Sequence, residues 1–364
     1  MRLIRSVLLL AAVASLPAPF LRAPLLQAQE LPTAPSSTAN PPPAPASPPA
    51  AARPQPSAST PAATTPQPAA AAPPAAKVKD EELPDTGTII KKRVDEVNVI
   101  FTVTDKGGKF IKGLKQADFT VLDDHKPPQS MVAFRSETNL PLRVGLLVDA
   151  SNSIRDRFKF EQEAATEFLN QTVRPKVDKA FVVGFDATPE VTADFTDSAE
   201  KLAKGVAILR PGGGTALWDA VYYACRDKLL KHQDDFAVRR AIIVLSDGDD
   251  NQSRVTRQEA TEMAQRAEVI VYAISTNISG VVSRGDKYMQ EMAEATGGRV
   301  FFPMKLDDIA EKFVQIQEEL RSQYAVAYKP TDFLADGRYR AIDIVASNKK
   351  YKVRARKGYY APRQ

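Results

Sequence analysis

Two short runs, residues 142–148 and 241–246, are apolar at nearly every position. Each is too short for a helix and apolar on both faces, which predicts buried parallel strands. Around them, helical periodicity is predicted over 157–172, 198–209, 216–230, 257–267, 287–295 and 306–323. Shorter strand-like segments fall at 179–185, 191–195, 269–275 and 299–302. Strands alternating with helices predict an α/β domain over 140–323, with a doubly wound, mostly parallel, Rossmann-like sheet.

The flanks follow another pattern. Val97, Val99, Phe101 and Val103 alternate with polar residues, as in a half-buried strand. Asp105-Lys106-Gly107-Gly108 marks a turn, and 119–122 and 131–134 read as further strands around a 123–128 turn that holds an exposed His125. Beyond the last helical segment, 324–328, 339–346 and 351–356 turn to β again. Each flank is small for an independent sheet. The economical expectation is that 95–136 and 324–361 form one β-sandwich, with the α/β domain inserted between them.

Ahead of these lie two segments of different character. Residues 1–28 carry Arg2 and Arg5 before an apolar stretch at 7–16, with Leu16-Pro17-Ala18 or Leu26-Gln27-Ala28 as cleavage contexts. That is the pattern of a secretory signal peptide. The stretch is short of the roughly 20 residues that a spanning helix needs, and an uncleaved anchor is the alternative. A secreted or periplasmic, cell-envelope protein with no transmembrane domain after cleavage is expected. Residues 29–94 are a linker; its 31–77 portion is almost wholly Pro, Ala, Ser, Thr and Gln, predicted to be extended and unable to form a core.

Composition excludes some classes. The single cysteine, Cys225, allows no intramolecular disulfide and falls in a helical segment as a small buried hydrophobe. Trp218 and Tyr222, at i,i+4 spacing, read as core, and His232 as a helix-end cap. The formal charge of +5 is modest, and the lysines and arginines of 349–357 alternate as on a solvated strand face. No nucleic-acid partner is expected.

The chemistry gathers at the ends of the two apolar runs. The first ends in Asp149-Ala150-Ser151-Asn152-Ser153, and the second in Ser246-Asp247-Gly248. A third segment, Gly212-Gly213-Gly214-Thr215, has the backbone freedom to bring a threonine close. In an open α/β sheet, ligands bind beyond the carboxyl ends of the strands at a topological switch point. Two carboxylates and three hydroxyls are hard oxygen donors of the kind that suit Mg²⁺.

In this pattern the chain resembles a von Willebrand factor type A (VWA) domain. Asp149, Ser151, Ser153, Thr215 and Asp247 match the five positions of that family's metal-ion-dependent adhesion site. The segments Val103-Thr104-Asp105-Lys106-Gly107, Gly113-Leu114-Lys115-Gln116-Ala117-Asp118-Phe119 and Arg356-Lys357-Gly358-Tyr359-Tyr360-Ala361 are similar to a secreted VWA family common in acidobacteria. His125 departs from that likeness, which has a turn glycine there.

The resemblance implies a divalent cation, Mg²⁺ or Mn²⁺, whose shell is completed by an Asp or Glu of a protein partner, in adhesion or assembly. A structural scaffold with a loop-stapling ion is one rival, and a metal-dependent hydrolase another. Neither histidine lies near the three loops in sequence, and Asp249 and Asp250 are the local candidates for a base. A non-enzymatic role is expected.

Overall fold

The computed structural model describes residues 96–363, apart from 138, 233, 235, 278 and 306. The signal-peptide and linker expectations lie outside the described residues. Three strands come first: β1 (Val97–Thr104), β2 (Phe119–Asp123) and β3 (Ser130–Glu137). Between β2 and β3, Asp123 and Lys126 exchange backbone hydrogen bonds of 2.8 and 2.9 Å around Asp124 and His125. Both central residues have positive φ, 48° and 65°, as a tight two-residue turn requires. Asp and His are among the non-glycine residues that adopt this region most readily, which accounts for His125 where the resemblance has glycine.

The α/β domain then runs β4 (Leu142–Asp149), α1 (Phe158–Thr172), β5 (Lys179–Phe185), β6 (Pro189–Thr196), α2 (Ala199–Ala207), α3 (Leu217–Tyr223), β7 (Arg239–Ser246), α4 (Arg257–Arg266), β8 (Ile270–Ser275), α5 (Arg284–Thr296), β9 (Val300–Phe301) and α6 (Asp308–Leu320). Its sheet has the order β6-β5-β4-β7-β8-β9. All neighbours are parallel except β5 and β6. Every residue of β4 is buried, because helices cover both faces. Leu146 and Val148 pack with Phe168 of α1 and Phe313 of α6 on one face. Leu147 packs with Val221 of α3 and Met289 of α5 on the other. The chain leaves β4 for β5 on one side and later returns to β7 on the other, so the switch point lies between β4 and β7.

Some elements differ from the sequence reading. α5 begins at Arg284 rather than 287, because Ser283 and Asp286 form a capping box. α3 continues as π-helix over Ala224–Leu230, still burying Trp218 and Cys225. α6 stops at Leu320, and Gln323 already belongs to the next strand.

The last strands are β10 (Gln323–Lys329), β11 (Tyr339–Ala346), β12 (Lys352–Ala355) and β13 (Gly358–Tyr360); β13 has no counterpart among the strands expected from the sequence. They join the first three strands in two sheets, β12-β1-β10-β3 and β13-β11-β2. Val99, Phe101, Val121, Tyr324, Val326 and Ile342, from both sheets, share one apolar cluster. Phe101 stacks on Tyr324 and meets Phe119 edge-on, at centroid distances of 5.6 and 5.0 Å. The end of α6 is anchored where this unit meets the α/β sheet. Buried Glu319 accepts from Tyr272 of β8 at 2.8 Å and pairs with Arg299 and with Arg354 of β12.

Candidate metal centre

β4 and β7 pair in register up to Val148 and Leu245, so Asp149 and Ser246 leave the sheet side by side. Asp149 is fully buried. Its Oδ1 accepts the Ser151 backbone N–H at 2.9 Å, and its Oδ2 accepts the Ser246 hydroxyl at 2.6 Å. Ser246 in turn accepts the Gly248 N–H at 3.0 Å, which shapes the Asp247 loop. Ser153 closes the ring: its Oγ lies 3.0 Å from Ser151 Oγ and donates to Asp247 Oδ2 at 3.0 Å. Asp149, Ser151, Ser153 and Asp247 are thus joined in one hydrogen-bonded chain.

Thr215 arrives on the third loop, which backbone contacts lock to both others. Gly212 N–H donates to Ala150 O at 2.7 Å, and Asn152 N–H to Gly213 O at 3.4 Å. Thr215 N–H donates to Asn251 Oδ1 at 3.0 Å. Its carbonyl accepts from the N–H groups of Asn251 and Gln252, each at 3.0 Å. Two glycines permit this approach. Gly213 has φ +68°, and a Cβ on Gly214 would lie 2.6 Å from Asn251 Oδ1. The structure therefore places all five sequence-predicted residues on loops beyond the carboxyl end of the central strands. Among the described residues, no three or more His, Cys, Asp or Glu are grouped so that they could hold a metal ion by themselves; here two carboxylates meet hydroxyls.

Three contributors were missed in the sequence. Ser246 reads in the sequence only as the end of an apolar strand. Arg157 sits with Nε 3.4 Å from Glu161 Oε1 and Nη2 3.9 Å from Asp247 Oδ2. Glu161 is buried on α1 beside Phe158, Ala164, Ala165 and Phe168. A carboxylate inside an apolar helical stripe was the legible signal. Asp250 accepts from Trp218 N–H at 3.2 Å and Ser253 Oγ at 2.6 Å, so it holds the start of α3. His125 is exposed in its turn, and His232 stacks on Phe195 while its backbone N–H caps the preceding helical segment.

Burial is the main force on these carboxyls. It pushes Asp149 up to about 6, against hydrogen bonds from Ser246 and Ser151. Burial likewise pushes Glu161 up to about 8, opposed by Arg157 and reinforced by the negative charges of Asp149 and Asp247. An acid raised in the folded state keeps a proton that the unfolded chain has released, so stability falls as pH rises through that window. For Glu161 the window runs from 4.5 to about 8. In chelating buffer, melting temperature is accordingly expected to fall as pH rises from about 6 to about 8.5. Glu161→Gln should flatten this slope and melt roughly 5–10 °C above wild type at the alkaline end. Parallel curves for the two proteins would refute the assignment.

Residues 144–249 match the family model described as the von Willebrand factor type A domain. An uncharacterized protein of Borreliella burgdorferi is 26% identical over 186 residues, covering 48% of this chain and 51% of that protein. The chain thus spans about half the length of the curated relative it matches. Among solved structures, proximal thread matrix protein 1 from the mussel byssus, with a zinc-occupied MIDAS motif, aligns at TM-score 0.44 and 15% identity, over 55% of this chain and 50% of that one. The PilB minor pilin from Streptococcus sanguinis aligns at TM-score 0.41 and 13% identity, over 54% and 63%.

Proposed function

We propose, for a chain that carries a von Willebrand factor type A domain over residues 144–249, that Asp149, Ser151, Ser153, Thr215 and Asp247 hold a divalent cation and capture a carboxylate of a protein partner. The observation that carries this reading is the Ser153 hydroxyl, 3.0 Å from both Ser151 Oγ and Asp247 Oδ2, which unites donors from two loops. The donor set fits Mg²⁺, with Mn²⁺ as the near equivalent. When bound, the ion supplies positive charge with exchangeable positions that an Asp or Glu oxygen takes.

The chain's own residues prepare that event. Asp149 is fixed by Ser246 and the Ser151 N–H, so it spends no conformational freedom on binding. Arg157 draws Asp247 from the side of α1. The hydroxyls are neutral, so the two carboxylates balance the ion's charge without an anionic excess that would repel a partner's carboxylate.

Hydrolysis finds less support. Asp250 is engaged by Trp218 and Ser253, which leaves exposed Asp249 as the local base. A purely stapling ion is also disfavoured, because backbone bonds already interlock the three loops. The composition of residues 1–28 supports secretion or an envelope location. Among the described residues, no helix is long and apolar enough to cross a membrane.

The test is retention of the full chain on beads displaying a Glu peptide or its Gln counterpart at high density, where rebinding slows the loss of a weakly held protein. Mg²⁺-dependent retention on Glu beads alone is expected, and its loss in Asp149→Ala. Equal retention on Gln beads, or in chelator, would overturn carboxylate capture.

A further inference from the structure

We propose that residues 86–95, the end of the linker outside the described residues, dock in a cleft between the β-sandwich and the amino end of the α/β sheet. Ile89 and Ile90 are the apolar anchors. The linker then grips the protein across both layers rather than through β1 alone. This inference is independent of the metal centre.

The cleft has a volume of about 460 Å³, within the range of about 300–1,000 Å³ typical of ligand-sized sites. One wall is the outer face of the sheet β12-β1-β10-β3. There Asn98 pairs with Ala327 and Ile100 with Ala325, and β3 sets Ala133 beside Ala327 and Arg135 beside Ala325. Alanine at three of these positions leaves a trough where larger side chains would reach the opposite wall. That wall is apolar, with Val238 just ahead of β7 and Val269 and Ile270 at the start of β8. Arg356 spans one side: its Nη2 donates to Asn98 O at 2.7 Å, and its Nη1 lies 3.4 Å from Glu268 Oε1. Phe236 also lines the cleft and is 55% exposed, its ring centroid 5.8 Å from the Arg143 guanidinium. An exposed aromatic ring on the wall of an apolar trough marks a surface that an occupant covers.

The occupant follows from where the chain enters. Glu96, the first described residue, itself lines the cleft on the same face of β1 as Asn98 and Ile100. The residue before it therefore sits at the cleft whatever path the linker takes. Ile90 is six residues from Glu96, a reach of about 20 Å when extended. The trough from β1 to β3 is two strand spacings wide, about 10 Å. The chain has only to turn back over the sheet for the isoleucines to meet the alanines.

Composition selects the anchors. Residues 32–77 contain no Val, Ile, Leu, Met or Phe, whereas Ile89, Ile90 and Val94 stand directly ahead of Glu96. An isoleucine pair does not serve a solvated spacer, and covering it against the trough removes apolar surface of both from water. Attachment at Glu96 makes the contact intramolecular, at high effective concentration. Charge does not choose the partner. The segment carries Lys91, Lys92, Arg93 and Asp95, and the cleft carries Glu96 and Glu268 with Arg135, Arg240 and Arg356. Apolar burial decides it.

Trypsin digestion of the full chain, well below its melting temperature, reads the docking at Lys91, Lys92 and Arg93, because a bond held against the fold is cut only after local release. The same three bonds are compared in wild type, in Ile89→Ser/Ile90→Ser and in Phe236→Ser, which changes the cleft and leaves the segment untouched. Cleavage is expected to be at least tenfold faster in the isoleucine variant than in wild type, and several-fold faster in Phe236→Ser. An isoleucine variant cut no faster than wild type would show that these residues anchor nothing. A Phe236→Ser protein cut no faster than wild type would place the segment away from this cleft. Either result would overturn the proposal.

Discussion

Removing residues 324–364 is expected to unfold the β1–β3 region while the α/β domain survives. The reason is topological. Among β1, β2 and β3 none pairs with another: β1 lies between β12 and β10, β3 pairs with β10, and β2 pairs with β11. The truncation therefore removes every sheet partner of the first flank. It also removes Tyr324, Val326, Tyr328, Ile342, Ile344 and Tyr359 from the shared cluster. At about 1.5–3 kcal/mol for each buried large side chain, the loss is on the order of 10 kcal/mol. That rivals the whole stability of a typical domain, about 5–15 kcal/mol. Limited proteolysis should cut near Phe101 and Phe119 in the truncated protein and spare both in the full chain. Protection of both sites after truncation would mean that the first flank folds unaided.

The sequence made some of this legible and hid the rest for physical reasons. β4 and β7 were readable because strands covered on both faces must be apolar throughout. The five candidate residues were readable as candidates because each lies at or just beyond a strand end, or in a glycine-rich loop, where side chains escape the core. Pairing was harder. The contact of β1 with both β10 and β12 joins residues more than 200 positions apart, and local periodicity carries no record of it. β13 is three residues long, too short for a pattern of its own to register. The start of α5 was missed because its capping box, Ser283 with Asp286, precedes the periodic residues. Glu161 and Arg157 went unread because a charged residue in a helix is ordinarily solvent-facing, whereas here Arg157 offsets the burial of Glu161.

The largest effect at the site is expected from Asp149→Asn. The substitution keeps the volume of the side chain and an acceptor for the Ser151 N–H, but removes a negative charge. In chelator this should stabilise the fold, because the ionised carboxyl is buried and burial pushes it up to about 6. By the linkage sign, that penalty is present above about 6 and gone below 3.8. A shift of this size corresponds to roughly 3 kcal/mol at most. With Mg²⁺ the gap should close, since the wild type gains what the variant cannot.

Thermal unfolding of the full chain with and without Mg²⁺, at pH above about 7, tests the central claim that these five residues hold the cation. A ligand bound only to the native state stabilises it by about 2.7 kcal/mol at a hundred times its Kd. Wild type should therefore rise by roughly 5–10 °C, and Asp149→Asn and Thr215→Ala should not respond. An equal rise in wild type and both variants would contradict the account.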